Sequence, residues 1–285
     1  MGEDPACVVA RLEFAKAGTL LAADAARRVL FCDACPPQGV EVRRTLKVDV
    51  ASGRIVAGVL RPWLREQPAA GVLRVVVNEG AGPYLCRPVQ MGADVVVEDL
   101  GELMGGAFAG MVAVCARSDE ALARFLSHVG VDACEHVGRV GEKPAEAASV
   151  SLLSHLLPQL SLICQARCDR AMVAAQYLAH HPAVAWVSYP GLGDDLANAE
   201  ARRGMEHGFG WRVAFGVDGA CKGFDEGLWD EPHVGIASRV ERLGCGAFVL
   251  HAGLEEPLDV VGALERGIVC PPGPAAPHND TCTAQ

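Results

Sequence analysis

The sequence predicts an α/β fold. Three short runs, Val72–Val77, Asp94–Val97 and Gly110–Cys115, are apolar almost without interruption, the pattern of strands covered on both faces. Strands of this kind alternating with short helical stretches point to a sheet with parallel connections. The chain has 285 residues, 51% hydrophobic and 21% charged, enough for one large or two modest domains with a true core.

Taken in order, Leu20–Phe31 reads as a helix, with Ala and Leu at helical spacing, and Pro36, Pro37 and Gly39 end it. Val40–Val50 carries a strand, and Leu60–Ala69 a short helix closed by Gly71. The three apolar strands follow, then a polar loop over Gly138–Ala147. Leu156–Ala179 forms one long helix with Leu160, Ile163, Cys164, Ala171, Ala174, Ala175 and Leu178 on one stripe, stopped by His180, His181 and Pro182. Val184–Tyr189, Trp211–Val217 and Phe248–His251 read as strands and Leu258–Gly267 as a final helix. The expected division is a large domain over 1–158, a long linking helix with a small domain over 159–270, and a proline-rich disordered tail over 271–285.

A net charge of -10 argues against a nucleic-acid partner, which needs a basic face for phosphates. The longest apolar run is too short to span a bilayer, and MGEDPACVVARLEF is no secretory leader, so the expected address is cytoplasmic. The twelve cysteines sit mainly in apolar stretches, among them Cys7, Cys86, Cys115, Cys164, Cys245 and Cys270, and read as small buried hydrophobes kept reduced. Cys32 and Cys35 form a CxxC, but no second ligand pair follows at zinc-finger spacing and two prolines follow at once, so no metal is assigned.

The run from Gly71 to Gly106 ends in VVVNEGAGPYLCRPVQMGADVVVEDLGELMGG. It resembles a segment of the cysteine/methionine-metabolism enzymes that use pyridoxal phosphate (PLP), the trans-sulfuration family, most of all the O-acetylhomoserine sulfhydrylases. Later text, QYLAHHPAVAWVSYPGL, GFGWRVAFGVDGA and GLEEPLDVVGALERGI, is similar to that family in the same order. The resemblance implies a fold-type-I PLP-transferase-like architecture: a mostly parallel sheet domain, N-terminally truncated, then a smaller α/β C-terminal domain. It implies that the chain starts after the family's glycine-rich phosphate turn, since only GVEVRRT from Gly39 resembles the earlier part.

The same resemblance locates the cofactor contacts, and the chemical letters differ there. Glu102 stands in the slot of the lysine that forms the imine with PLP, and a carboxylate has no amine to do so. Val77 stands in the slot of the aspartate that pairs with the pyridine nitrogen. Asp99 replaces a phosphate-binding serine, and at about 4 Å it would repel a phosphate charge by about 4 kcal/mol at an effective dielectric near 20. Gly101 replaces the threonine beside the lysine, while Asn78 and Tyr84 are retained. The arginine that clamps the substrate carboxylate is absent, either because Val249 fills its slot or because its segment is deleted. The four lysines, Lys16, Lys47, Lys143 and Lys222, read as solvated surface residues.

Glu98, Asp99 and Glu102, near Glu79, form an acidic cluster that reads as an acidic surface, with cation binding or proton sharing as the other reading. His251 reads as a satisfied core or boundary histidine. These residues lead to the expectation of an O-acetylhomoserine sulfhydrylase-like pseudoenzyme with a structural or regulatory role, and no PLP bound. It would form a homo-oligomer, or a hetero-oligomer with an active relative. The alternatives are a residual PLP-dependent transferase or lyase of sulfur amino acid synthesis using a lysine from elsewhere or from a partner chain, a new carboxylate-based or metal-based activity, and a product without a selected role.

Overall fold

A computed structural model describes residues 17–21, 28–30, 35–105, 108–131, 136–139, 156–218, 223–224, 236–244 and 246–269. In chain order the elements are β1 (Ala17–Leu21), β2 (Val40–Arg44), the hairpin β3 (Leu46–Val48) and β4 (Ile55–Ala57), α1 (Leu60–Arg65) and β5 (Leu73–Val77). Then come the short helices α2 (Gly82–Leu85) and α3 (Pro88–Met91), β6 (Val95–Asp99), α4 (Leu100–Met104), β7 (Val112–Ala116), α5 (Asp119–His128) and β8 (His136–Arg139). The long α6 (Leu160–His180) leads to β9 (Val184–Ser188), α7 (Asn198–Gly204), β10 (Arg212–Val217), β11 (Gly223–Phe224), β12 (Arg239–Gly244), β13 (Ala247–His251), α8 (Pro257–Gly267) and β14 (Ile268–Val269).

The first sheet has the order β2-β5-β6-β7-β1-β8. β2, β5 and β6 are mutually parallel, and each further step to β7, β1 and β8 is antiparallel. Four of the six strands therefore share one direction. Alternation along the strands explains their unbroken apolar text. Val75, Val77, Val95, Val97, Val112 and Val114 face α5 and its Phe125. Val76, Val96 and Ala113 face the opposite way, into the larger core with α6 and the second sheet. The second sheet, β12-β13-β10-β9, is antiparallel throughout and packs Phe215 and Phe248 against Phe224.

Several expectations are corrected. The helix expected over Leu20–Phe31 begins instead as strand β1, paired residue by residue with β7, and only residues 28–30 are helical among those described. Five residues are too few for periodicity to separate strand from helix, and the available sheet neighbour decides. The strand expected over Val40–Val50 breaks at Thr45, whose N–H bonds to the Val77 carbonyl and whose hydroxyl bonds to Asn78, and the chain turns into the β3–β4 hairpin. Gly138 and Arg139, expected in a loop, lie in β8. Helix α5 was not anticipated, although Ser118 caps its first turn, acids follow and His128 closes it. The stripe on α6 is buried as expected and also holds Arg167 and Cys168. The tail from 271, Cys32, and Lys16, Lys143 and Lys222 lie outside the described residues.

One close approach fixes the second sheet against the first. Gly210 has φ +85, and a Cβ there would stand 2.3 Å from the Gly80 carbonyl oxygen. This contact sets Arg212 beside the ends of β5 and β6. Gly210→Ala should therefore cost more than about 1 kcal/mol, because both the backbone conformation and the space are wrong for a side chain. Gly204→Ala, in open space, should not destabilise. Urea midpoints of the two variants check this.

Candidate functional site

The carboxyl ends of the parallel strands β2, β5 and β6 carry Arg44, Asn78 with Glu79, and Glu98 with Asp99. In open α/β sheets such ends are where ligands bind. Here the protein's own side chains meet there. Asp99 caps α4 by accepting from the Glu102 N–H at 3.1 Å, which points the Glu102 side chain toward the second sheet. Glu102 accepts from Arg212 through both oxygens, Nε to Oε1 at 2.7 Å and Nη2 to Oε2 at 2.7 Å, and from Trp211 Nε1 at 3.1 Å. Arg212 Nη1 continues to Glu79 at 2.5 Å, and the other Glu79 oxygen pairs with Arg44. From the far side Arg167 donates to the Glu102 carbonyl at 2.7 Å and to the Ala252 carbonyl at 2.7 Å, while its guanidinium lies over Trp211 at 4.2 Å.

This is a chain of alternating charges, Arg44–Glu79–Arg212–Glu102, with Glu102, Arg212 and Arg167 all buried. Burial would raise the Glu102 pKa, but Arg212 first, then His251 and Arg167, outweigh it and hold the carboxyl down at about 2. Arg212 is held above the usual arginine range by Glu102 and Glu79 against the effect of burial. Arg167 is lowered to about 10 by burial, partly offset by Glu102. Glu98 behaves oppositely: burial keeps its carboxyl protonated well above the usual range, and Asn78 donates to it at 2.7 Å. Asp99 is also raised, mainly by burial.

The acidic cluster is thus corrected. It is not an exposed surface: Glu98 and Glu102 are buried, one accepting from Asn78 and the other tied to Arg212. Among the described residues no group of three or more His, Cys, Asp or Glu is placed to hold a metal ion. Asn78 is fixed on three sides by Thr45, Glu98 and the Cys86 carbonyl. Val77 is buried in β5 between Arg44 and Val97 of the neighbouring strands. Gly101 lies where a Cβ would come within 3.1 Å of Ala109 Cα. Tyr84 stacks on His207 at 4.7 Å. Val249 is buried in β13 opposite Ala214. His251 is buried but only half satisfied: Nε2 lies 3.3 Å from Glu241 and Nδ1 has no partner among the described residues. Lys47 is exposed on β3, as read. Cys86, Cys115, Cys164 and Cys168 are buried free thiols, and Cys35 is exposed and free.

Sequence reasoning missed Arg212 and Arg167. The available signal was an arginine inside an apolar strand, Trp-Arg-Val-Ala-Phe, and another inside the apolar stripe of a helix, since neither is buried without a partner.

The Cys/Met metabolism PLP-dependent enzyme family matches residues 64–233, more than half of the chain. The chain belongs to this family. It is 31% identical over 158 residues to an L-methionine gamma-lyase of Porphyromonas gingivalis, covering 53% of this chain and 36% of that protein. It is 28% identical over 193 residues to an O-acetyl-L-homoserine sulfhydrylase of Leptospira meyeri, covering 55% and 44%. The chain thus spans less than half the length of these curated relatives. The crystal structure of an apo methionine gamma lyase from Micromonospora echinospora matches with a TM-score of 0.69 at 20% identity, over 90% of this chain and 83% of that one, which establishes the fold-type-I α/β architecture. No described helix is long and apolar enough to cross a membrane.

The residues at the strand ends do not fit the cofactor of this PLP-dependent family. PLP needs an amine for its aldehyde and donors for its phosphate. The cleft offers a carboxylate bound on both oxygens by Arg212, and Asp99, a carboxyl engaged as a helix cap. Among the described residues the sole lysine, Lys47, lies exposed on the β3–β4 hairpin.

Acid stability reports on this cluster. Burial lowers the His251 pKa from 6.5 to about 4 despite the Glu241 hydrogen bond. Between those values the unfolded chain binds the proton and the folded one does not, so stability falls as pH drops from 6.5 toward 4. Glu102, lowered from 4.5 to about 2, adds a further loss as pH falls through that lower window. His251→Leu removes this contribution, so its melting temperature should fall less, relative to the unaltered chain, as pH drops from 6.5 to 4.5, while the loss below that window remains.

Proposed function

We propose that this chain is an O-acetylhomoserine sulfhydrylase-like member of the family that performs no independent PLP chemistry. It acts in a structural or regulatory role, assembled with another copy or with an active relative. The observation that carries this reading is Glu102. By the family resemblance it occupies the lysine slot, and in the fold it is consumed in a two-pronged buried contact with Arg212. Val77 in the aspartate slot and Asp99 in the phosphate-serine slot support the same conclusion, since ring and phosphate would both meet unsuitable groups. We place the chain in the cytoplasm, in keeping with its buried reduced thiols.

A PLP titration of the purified chain tests this, read by absorbance at the internal-aldimine band and then by borohydride trapping with peptide mapping. The expected result is no band and no adduct at stoichiometric PLP. A stoichiometric adduct on one lysine would overturn the proposal and name the replacement residue. Glu102→Lys should not restore binding, because it sets a third cation beside Arg212 and Arg167 in a buried site.

A further inference from the structure

A separate cavity lies where α1, α3 and α7 meet, and none of its lining residues belongs to the Glu102 cluster. It measures about 230 Å³, and Arg61, Arg87, Gln90 and Glu206 line it together with Leu85 and Met91. Its charged residues are thus two arginines and one glutamate, a local excess of positive charge in a chain of net charge -10. The arginines just outside it are engaged elsewhere: Arg203 pairs with Glu200 at 2.8 Å, and Arg202 donates to Asn198 at 3.0 Å. Both lining arginines are anchored through Nε. Arg61 Nε donates to the Arg203 carbonyl in the last turn of α7, and Arg87 Nε donates to the Pro83 carbonyl at 3.4 Å. The Nη groups of Arg61 have no partner among the described residues. Arg87, its side chain 15% exposed, has Nη1 3.5 Å from a Glu206 oxygen, and the Glu206 side chain is 55% exposed. A firm charge-assisted contact is shorter, about 2.7–2.9 Å.

We propose that this cavity binds the phosphate group of a small anion between Arg61 and Arg87. The guanidinium fork matches the spacing of phosphate oxygens, and two forks call for a dianion rather than a single carboxylate. Anchoring through Nε fixes both forks before the ligand arrives, so little side-chain freedom is lost on binding. The Gln90 amide is a further donor at the same wall, and Leu85 and Met91 offer apolar contact to whatever carries the phosphate. The volume, below the about 300 Å³ at which sites for larger ligands begin, restricts that carrier to a few atoms. Glu206 is the competitor. Its carboxylate holds Arg87 loosely in the free chain and swings into water when the phosphate arrives, while its main chain stays fixed by the N–H bond to the Leu85 carbonyl at 2.7 Å. This proposal does not rest on the reading of the Glu102 cleft.

Titration calorimetry of the full chain with inorganic phosphate, glycerol phosphate and acetate tests it, above neutral pH where phosphate is a dianion. One phosphate group should bind per chain, with acetate weaker by about tenfold or more. Tighter binding of glycerol phosphate supports a small organic phosphate as the source, and tighter binding of inorganic phosphate supports the free ion. Arg61→Gln should weaken phosphate binding about tenfold, since it removes a charged donor. Glu206→Gln, at an exposed side chain, should keep the melting temperature and tighten phosphate binding, because it removes the competing charge. The absence of saturable binding by either phosphate overturns the proposal, as does acetate binding equally well. Phosphate binding that is indifferent to Arg61→Gln, or weakened by Glu206→Gln, places the anion elsewhere and overturns it too. No lysine lines this cavity, so a phosphate held here gives no aldimine band, and the two proposals fail separately.

Discussion

The pairing of Glu102 with Arg212 sets the terms for everything around the strand ends. Both groups are withdrawn from water, and such a pair contributes little net stability relative to apolar packing. Its importance lies in the asymmetry. Once one charge is buried the other must be present, because an uncompensated buried ion costs about 3–5 kcal/mol. The rest of the cluster follows from that constraint. Arg212 has donors to spare after Glu102, and Glu79 takes one; Glu79 has a second oxygen, and Arg44 takes it. Trp211 and Arg167 close the remaining sides. Because Glu102 follows β6 and Arg212 begins β10, the contact also ties the first sheet to the second, at a point where Gly80 and Gly210 touch.

That arrangement gives the cleft a different content from the one the family relation implies. A fold-type-I scaffold normally presents the ends of its parallel strands to a ligand. In this chain two carboxylates and two guanidiniums occupy those ends and satisfy one another. Membership of the family, shared architecture and altered cleft chemistry are compatible, since fold does not dictate activity.

The strands β5, β6 and β7 were legible because burial on both faces leaves an almost purely apolar text. β12 was not, because an edge strand with Arg239, Glu241 and Arg242 reads like a loop. Leu20 and Leu21, read as the start of a helix, end β1 instead, and the pairing with β7 is information the segment does not contain. At the site, Glu102 stood out through family resemblance, whereas Arg212 lies 110 residues away with nothing local to link the two. The burial of Glu98 was equally invisible: the acids read as surface because the sequence gives their charge but not the packing that withdraws them from water.

The most direct test of the account is a double-mutant cycle on Glu102→Gln and Arg212→Gln, with unfolding free energies from urea titration. The buried pair predicts that each single change costs about 3–5 kcal/mol, and that the double variant recovers about 2 kcal/mol or more of the summed loss. Additive losses, within about 0.5 kcal/mol, would mean that the two side chains do not depend on each other. The cleft would then not be held by its own charges.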